Sequence, residues 1–280
     1  MKFSSAIISM AVVAVICIGG TSFYFHKNPP IPAAPVVNQQ AAKALIAKAT
    51  GGKAIVMQTF VDGPFQGFVL KGTQPNAPQG ILFTDVSGQY LISGNVMDQN
   101  LKSLTEDAFD KYISPDKAKA AWASVNTVSY VSMGKDSAPH KLYVIVDPNC
   151  VFCHQFYEAS KSYVDSGQLQ IRWILGAFLK DSSQGRAAAI LNATDPSAAF
   201  VQNETNFVDS SEEGGIAPLS SIPPQIAAEI QANMNFMIKN QFMQTPTLLY
   251  KNTDGTPQLY TGLPDAKQTQ SLINSMGASF

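Results

Sequence analysis

The stretch HKLYVIVDPNCVFCHQF, residues 140–156, decides how this sequence folds. Its first part, HKLYVIV, is a nearly continuous apolar run, which is typical of a strand buried on both faces of a sheet. Asp147 and Pro148 end the run, and after Cys150 and Cys153 the apolar residues recur with helical spacing. The order of strand, turn, Cys-x-x-Cys and helix predicts that Cys150 lies at a helix N-terminus and Cys153 one turn further on.

This placement favours redox chemistry. Free backbone N–H groups and the positive end of the helix dipole stabilise a thiolate at a helix N-terminus, and thiols in such motifs have pKa values of about 3.5 to 7. We expect Asp147 to oppose this shift and a protonated His154 to support it. Because a bridge over two residues removes little entropy from the unfolded chain, the pair indicates thiol-disulfide exchange rather than a structural disulfide.

Two other chemistries remain open for the same residues. The sequence Cys150-Val151-Phe152-Cys153-His154 satisfies C-x-x-C-H, which attaches c-type haem, although haem attachment needs an exposed helix and here a buried strand leads into the motif. Zinc is less favoured, because histidines at positions 26, 140 and 154 supply no second ligand pair at zinc-finger spacing. We expect no metal and no cofactor, and we interpret His154 as an exposed first-turn residue.

Composition limits the classes of function. A chain of 280 residues with 45% hydrophobic and 14% charged residues is long enough for about two folded domains. The 19 Lys and Arg residues are balanced by 20 Asp and Glu, so we expect no nucleic-acid partner. The three cysteines are too few for a disulfide framework.

An apolar segment near the N-terminus indicates export. Residues 1–27 contain an uncharged run behind Lys2 and are predicted to be a signal peptide or an N-terminal membrane anchor, with cleavage and retention both open. Cys17 follows Ile16, where a lipoprotein signal needs a small residue, so lipidation is disfavoured. Residues 28–38 are Pro-rich and are predicted to form an extended spacer.

The remaining chain divides into three predicted parts. Residues 39–112 combine a short Ala-rich helix with β-type runs and turn residues, which predicts a small α+β domain. Residues 113–130 are predicted to form a linker helix capped by Ser114 with Pro115 in its first turn, the alternative being a helix packed on the second domain. Residues 131–280 are predicted to be an α/β domain in which a helical insertion precedes two last strands and a terminal helix.

Longer stretches resemble the DsbC/DsbG group of bacterial periplasmic thiol:disulfide interchange proteins, nearer to DsbG. The similarity is carried by YVIVDPNCVFCHQF (143–156), YVDSGQLQIRWILGAFLKDSSQGRAAAIL (163–191) and TPTLLYKNTDGTPQLYTGLPDAKQ (245–268), and to a lesser degree by GQYLISGNVMD (88–98) and the helix that contains Trp122. The resemblance implies a cystatin-like N-terminal dimerisation domain, a helical linker and a thioredoxin-fold catalytic domain with a helical insertion.

Roles for individual residues follow from the same resemblance. It implies that Cys150 is the nucleophile and Cys153 the resolving thiol. Thr245-Pro246 matches the pair that faces the active site with a cis proline and turns the backbone of Thr245 towards an extended substrate. A trans proline at the start of an edge strand is the alternative.

The sequence departs from the group next to its nucleophile. Val151-Phe152 stands where DsbG-like proteins usually have Pro-Tyr, and His154 stands where they have Lys. Because the residues around such a thiol pair tune the stability of the thiolate, these three residues are predicted to tune the redox potential.

The resemblance also implies partners. It implies a homodimer that isomerises or reduces disulfides in misfolded or oxidised periplasmic proteins, with chaperone-like holding, and that is recharged by a membrane reductase of the DsbD type. A net disulfide oxidase and a chaperone with dispensable cysteines remain alternatives. Met234, Met237 and Met243 are interpreted as helix packing before client surface.

Overall fold

The structure, a computed structural model, describes residues 38–74 and 77–280. The predicted leader or anchor at residues 1–27, and all of the Pro-rich spacer except its last residue, lie outside the described residues. Within the described ranges, no helix is both long enough and apolar enough to cross a membrane.

The N-terminal part is a four-stranded antiparallel sheet with helices on both faces. Its strands follow the order β1-β2-β3-β4. Ala42 and Ile46 of the first helix pack against Phe68 and Leu70 of the second strand, whereas Val69 between them belongs to a core on the other face. The elements are α1 (Gln39–Ala49), β1 (Ala54–Asp62), β2 (Phe65–Gly72), β3 (Gln79–Asp85), β4 (Leu91–Ile92) and α2 (Leu104–Tyr112).

Helix α2 is missing from the sequence-based prediction, although a local signal for it exists. Ser103 is its N-cap and lies three residues before Glu106, the spacing of a capping box. The Ser103 hydroxyl accepts a hydrogen bond from the Glu106 N–H at 3.0 Å. This spacing could have identified the start of the helix.

Helix α3 (Ser114–Trp122) follows α2 with only Ile113 between them. The predicted cap at Ser114 is wrong: Ile113 already has a helical backbone, so Ser114 lies inside the helix and its buried hydroxyl donates to Asp110 at 3.3 Å. Ala118 and Ala121 pack in one core with residues of the second sheet such as Ile145. The helix therefore packs against the second sheet, which agrees with the alternative prediction of a helix packed on the second domain.

The C-terminal part is a five-stranded mixed sheet in the order β5-β7-β6-β8-β9, in which only β6 and β7 run parallel. A short 3-10 helix, Val125–Thr127, leads into it. Its elements are β5 (Val131–Met133), β6 (His140–Val146), α4 (Val151–Asp165), β7 (Leu169–Leu175), α5 (Asp181–Leu191), α6 (Pro196–Thr205), α7 (Pro224–Asn240), β8 (Thr247–Lys251), β9 (Pro257–Thr261) and α8 (Ala266–Ser275).

The central strand of this sheet is β6, which is buried on both faces as its apolar run predicts. Leu142, Val144 and Val146 lie in the core beneath α4, whereas Tyr143 and Ile145 lie in the core beneath α3. The parallel strands β6 and β7 end at the same edge of the sheet. Both the start of α4 and the helical insertion α5–α7 follow from this edge, which is where the cysteines lie.

Candidate active site

The two cysteines lie at the start of α4. Cys150 is the N-cap of the helix with an extended backbone, and its Sγ accepts a hydrogen bond from the Cys153 N–H at 3.3 Å. The side chains are 5% and 3% exposed, and no disulfide joins them. The structure therefore places Cys150 where the backbone N–H groups of the first helical turn can stabilise a thiolate.

The Thr245–Pro246 pair lies just before β8 and contacts Cys150. The peptide bond between the two residues is cis. The Thr245 hydroxyl donates to the Sγ of Cys150 at 3.3 Å, and the Cys150 thiol donates to the Thr245 carbonyl oxygen at 3.5 Å. The structure thus brings together residues that are 95 positions apart in the chain.

The two thiols differ strongly in acidity. A hydrogen bond from the Cys153 side chain, assisted by the Thr245 hydroxyl and by backbone N–H groups, lowers the pKa of Cys150 to about 7 in spite of its burial. Burial, together with the hydrogen bond to Cys150, raises the pKa of Cys153 well above its ordinary value. Near neutral pH the pair consequently holds one reactive thiolate and one buried thiol in reserve.

The residues between the cysteines differ in exposure. Phe152 is 54% exposed although it is aromatic, whereas Val151 is half-buried. The Phe152 N–H contributes to lowering the pKa of Cys150. An exposed phenyl ring beside the nucleophile is a surface that a second protein can contact.

His154 is not the exposed residue that was expected. Its Nδ1 lies 3.2 Å from the Oε2 of Glu204, and its ring stacks on Phe207 with a centroid distance of 4.6 Å and an interplanar angle of 5°. The hydrogen bond to Glu204 raises the pKa of His154. Both partners come from the helical insertion, which is why the local sequence around His154 did not reveal them.

Asp147 holds the active-site turn through four hydrogen bonds. Its carboxylate accepts from the Asn149 N–H, the Ser183 hydroxyl and the N–H groups of Phe178 and Leu179 at 2.7–3.1 Å. From the sequence, Asp147 was expected to end the strand and to act as a charge near Cys150, and its role as a hydrogen-bond acceptor was not predicted. These bonds tie the end of β6 to the segment that follows β7.

Further polar residues at the site were not predicted. Asn149 donates to the hydroxyls of Ser182 and Ser183, and it accepts from the Gly214 N–H. Asn203 donates to the carbonyl oxygen of Pro148 at 3.0 Å. Because these pairs join residues far apart in the chain, no local pattern marks them.

The geometry also bears on the haem and zinc alternatives. Both cysteines are buried, and the His154 ring is occupied on one face by Phe207 and at Nδ1 by Glu204. The C-x-x-C-H residues are therefore not arranged as an open haem site. Among residues 38–74 and 77–280, no group of three or more His, Cys, Asp or Glu side chains could hold a metal ion.

Comparison with known proteins places these features in context. A family model described as thioredoxin matches residues 124–263, half of the chain. The thiol:disulfide interchange protein DsbG of Pseudomonas aeruginosa is 26% identical over 192 residues, which cover 69% of this chain and 73% of the relative. Its counterpart from Escherichia coli, of the same name, is 29% identical over 198 residues, covering 69% and 77%.

Two solved structures match more distantly. The catalytic domain of Proteus mirabilis ScsC is 16% identical, covers 57% of this chain and 96% of that chain, and has a TM-score of 0.43. Pseudomonas aeruginosa DsbA2 is 16% identical, covers 52% and 93%, and also has a TM-score of 0.43.

The geometry of the two cysteines allows a two-step thiol-disulfide exchange. One thiol is ionised near neutral pH and lies beneath a threonine that faces it, and the second thiol lies within the same helical turn. Such a pair can form a mixed disulfide and then resolve it.

Proposed function

We propose that this chain, which belongs to the thioredoxin family, is an exported thiol:disulfide oxidoreductase of the DsbG type that isomerises or reduces disulfides in other proteins. The observation that carries the proposal is the contrast between the two thiols, with the pKa of Cys150 lowered to about 7 and that of Cys153 raised. We assign Cys150 as the nucleophile and Cys153 as the resolving thiol.

The proposed thiol-disulfide exchange needs no cofactor. The Cys150 thiolate attacks a substrate disulfide, forms a mixed disulfide and expels one substrate thiolate. In isomerisation, another substrate thiolate then attacks the substrate sulfur of the mixed disulfide, which forms a new substrate disulfide and releases the Cys150 thiolate. In reduction, Cys153 loses its proton, attacks the sulfur of Cys150 and expels the second substrate thiolate, so that two electrons pass to the substrate.

A protein substrate is supported by the surface around Cys150. Phe152 is 54% exposed and Met243, two residues before Thr245, is 63% exposed, so the packing role expected for Met243 is wrong: α7 has already ended at Asn240. We propose that Thr245 and Pro246 bind an extended substrate segment through the Thr245 backbone while these apolar side chains contact its flanks.

The acidity of Cys150 favours isomerase or reductase over oxidase. The pKa of Cys150, about 7, is close to that of the thioredoxin nucleophile. The nucleophilic cysteine of the strong oxidant DsbA has a pKa of about 3.5. We retain net oxidation and a redox-independent chaperone as alternatives. Isomerisation requires reduced cysteines, so we further propose recharging by a membrane reductase of the DsbD type.

We also propose that the protein acts in the periplasm as a homodimer. Residues 1–27 would export it, and the signal-peptide and inner-membrane-anchor forms of that segment both stay predictions. Dimerisation through a cystatin-like N-terminal domain is supported by β1, an edge strand with exposed apolar side chains at Ile55, Met57 and Val61. The expected clients are misfolded or oxidised proteins of that compartment.

Trapping in cells tests the proposed roles. With Cys153→Ala, mixed disulfides with client proteins should accumulate because nothing resolves them, and with Cys150→Ala they should be absent. Acid-quenched alkylation of cells that carry the wild-type protein reports the redox state of Cys150 and Cys153. Reduced cysteines agree with isomerase or reductase, and oxidised cysteines favour the oxidase.

Equal trapping by the two variants would contradict the assignment of nucleophile and resolving thiol. The double Cys→Ala variant is the matched control. If it supports growth as well as the wild type under conditions that require the protein, the chaperone alternative replaces the enzyme.

A further inference from the structure

The end of helix α6 lies directly against the active-site turn. Asn203 is fully buried and donates to the Pro148 carbonyl oxygen at 3.0 Å. Further along the insertion, the Gly214 N–H donates to the Asn149 side-chain oxygen at 3.0 Å. The two residues before Cys150 are thus held by the insertion through two hydrogen bonds that do not titrate.

A third contact holds the other side of the motif, and this one can titrate. The Glu204 side chain is 4% exposed, and its two oxygens are bound by the Asn203 amide at 3.0 Å and by Nδ1 of His154 at 3.2 Å. A buried carboxylate is costly unless it is paired, so this one depends on the proton of His154. Phe207 stacks on the imidazole and fixes its plane.

His154 is also part of the turn that stabilises the thiolate. Its N–H donates to the Cys150 carbonyl oxygen at 3.0 Å, and one residue earlier the Cys153 N–H donates to the Cys150 sulfur at 3.3 Å. Because hydrogen bonds weaken steeply with poor alignment, a shift of this turn changes the support for the thiolate.

We propose that Glu204 is a positioning residue of the exchange reaction, which acts through His154 to hold the first turn of α4 in alignment with the Cys150 sulfur. The inference rests on the proposed function. Glu204 touches neither cysteine and no reacting atom, and nothing in its own sequence context marks it.

The charged groups around His154 give this contact a defined pH dependence. Glu204 on α6, Asp209 in the following loop and Glu158 on α4 are all acidic, and they raise the pKa of His154, chiefly through the Glu204 hydrogen bond. Burial raises the pKa of Glu204. The charged contact is therefore lost as pH rises through the raised folded-state pKa of His154, and it is also lost as pH falls through the raised pKa of Glu204.

The test measures the ionisation of Cys150 in the full chain by peptide-resolved alkylation against pH. Glu204→Gln keeps the shape of the side chain but removes the charge that holds the imidazolium. We expect alkylation of Cys150 at pH 7 to slow about twofold, which corresponds to a pKa higher by about half a unit. His154→Lys keeps a permanent cation opposite Glu204 and should retain the wild-type rate.

Glu158→Gln is the matched control, because it removes an exposed acidic charge near His154 without touching the Glu204 hydrogen bond. A wild-type alkylation profile in Glu204→Gln, or an equal change in all three variants, overturns the proposal. If Glu204→Gln does not fold, His154→Lys is compared with His154→Phe, which keeps a ring but carries no proton, and identical profiles for the two overturn it.

The outcome is independent of whether the proposed function holds. Alkylation needs no substrate, so a wild-type protein that exchanges no disulfides would refute the enzyme while leaving the alkylation result to decide the positioning role. A role in folding alone would lower the denaturation midpoint of Glu204→Gln without moving the alkylation profile, and that result also counts against positioning.

Discussion

At the residue scale, the Cys150 thiolate is supported by donors from two distant parts of the chain. Cys153 and Phe152 belong to the same helical turn, whereas Thr245 lies just before β8. Burial of Cys150 acts against them. Because several donors act together against burial, each donor should have a measurable share in the pKa of about 7.

Thr245→Val tests the share of the hydroxyl. A hydrogen bond to sulfur worth about 1 kcal/mol corresponds to about 0.7 pKa units, so the thiolate fraction of Cys150 at pH 7 should fall from about one half to about one sixth. The measurement is the pH dependence of iodoacetamide alkylation. Thr245→Ser keeps the hydroxyl and should stay near the wild type, and a Val variant that titrates like the Ser variant would rule out this contribution.

The residues of the site divide by whether their partners are near in sequence. Cys150 and Cys153 could be predicted because strand, turn and helix are contiguous, and Thr245 because of a family resemblance. Glu204 could not, since its partner is 50 residues away and a Glu near the end of a helix is ordinarily solvated. Local pattern carries no information about a contact that only the tertiary fold creates.

At the element scale, the helical insertion and the active-site turn behave as one unit. Gly214 shows how closely they approach: a Cβ added there would lie 2.2 Å from the Asn203 side-chain oxygen and 2.5 Å from the Pro148 carbonyl oxygen. Neither atom is the free end of a flexible chain: the Pro148 carbonyl oxygen accepts from the Asn203 amide at 3.0 Å, and the Asn203 side-chain oxygen accepts from the Ile216 N–H at 3.4 Å. The turn and the insertion loop therefore need glycine at this position.

Gly214→Ala should destabilise the protein by about 2 kcal/mol, because the insertion loop must move away and leave buried polar groups unpaired. Urea denaturation followed by Trp fluorescence measures the effect. Gly80→Ala is the control, since an added Cβ in that strand meets nothing within 4 Å. Equal midpoints for the two variants would mean that the loop adapts without cost.

Most elements could be predicted from apolar patterns and turn residues. The thioredoxin fold expected for the C-terminal part is confirmed by the family model and agrees with a sheet in which β6 lies at the centre. Ser114 was misjudged because a capping residue is recognised by its side chain, whereas the backbone that precedes it decides whether a helix begins or continues. The N-terminal sheet was expected as an α+β unit, but its cystatin-like comparison stays a prediction.

At the scale of the whole molecule, the two sheets differ in how their edge strands are covered. In the C-terminal sheet, helix α3 packs along β9. In the N-terminal sheet, β1 pairs with β2 on one side, and no described strand pairs with its other side. A nine-residue edge with exposed Ile55, Met57 and Val61 is a template for pairing with another chain.

If a second copy pairs there, the proposed homodimer depends on β1, and replacing Met57 and Val61 together by Lys should yield a monomer. Two like charges brought to a shared edge repel each other, and their burial in an interface is unfavourable. Size-exclusion chromatography with light scattering reads the mass directly. Ile238→Lys, on α7 and similarly exposed at 59%, is the control and should remain dimeric. A dimeric β1 variant would place the interface elsewhere, and a monomeric wild type would refute the dimer itself.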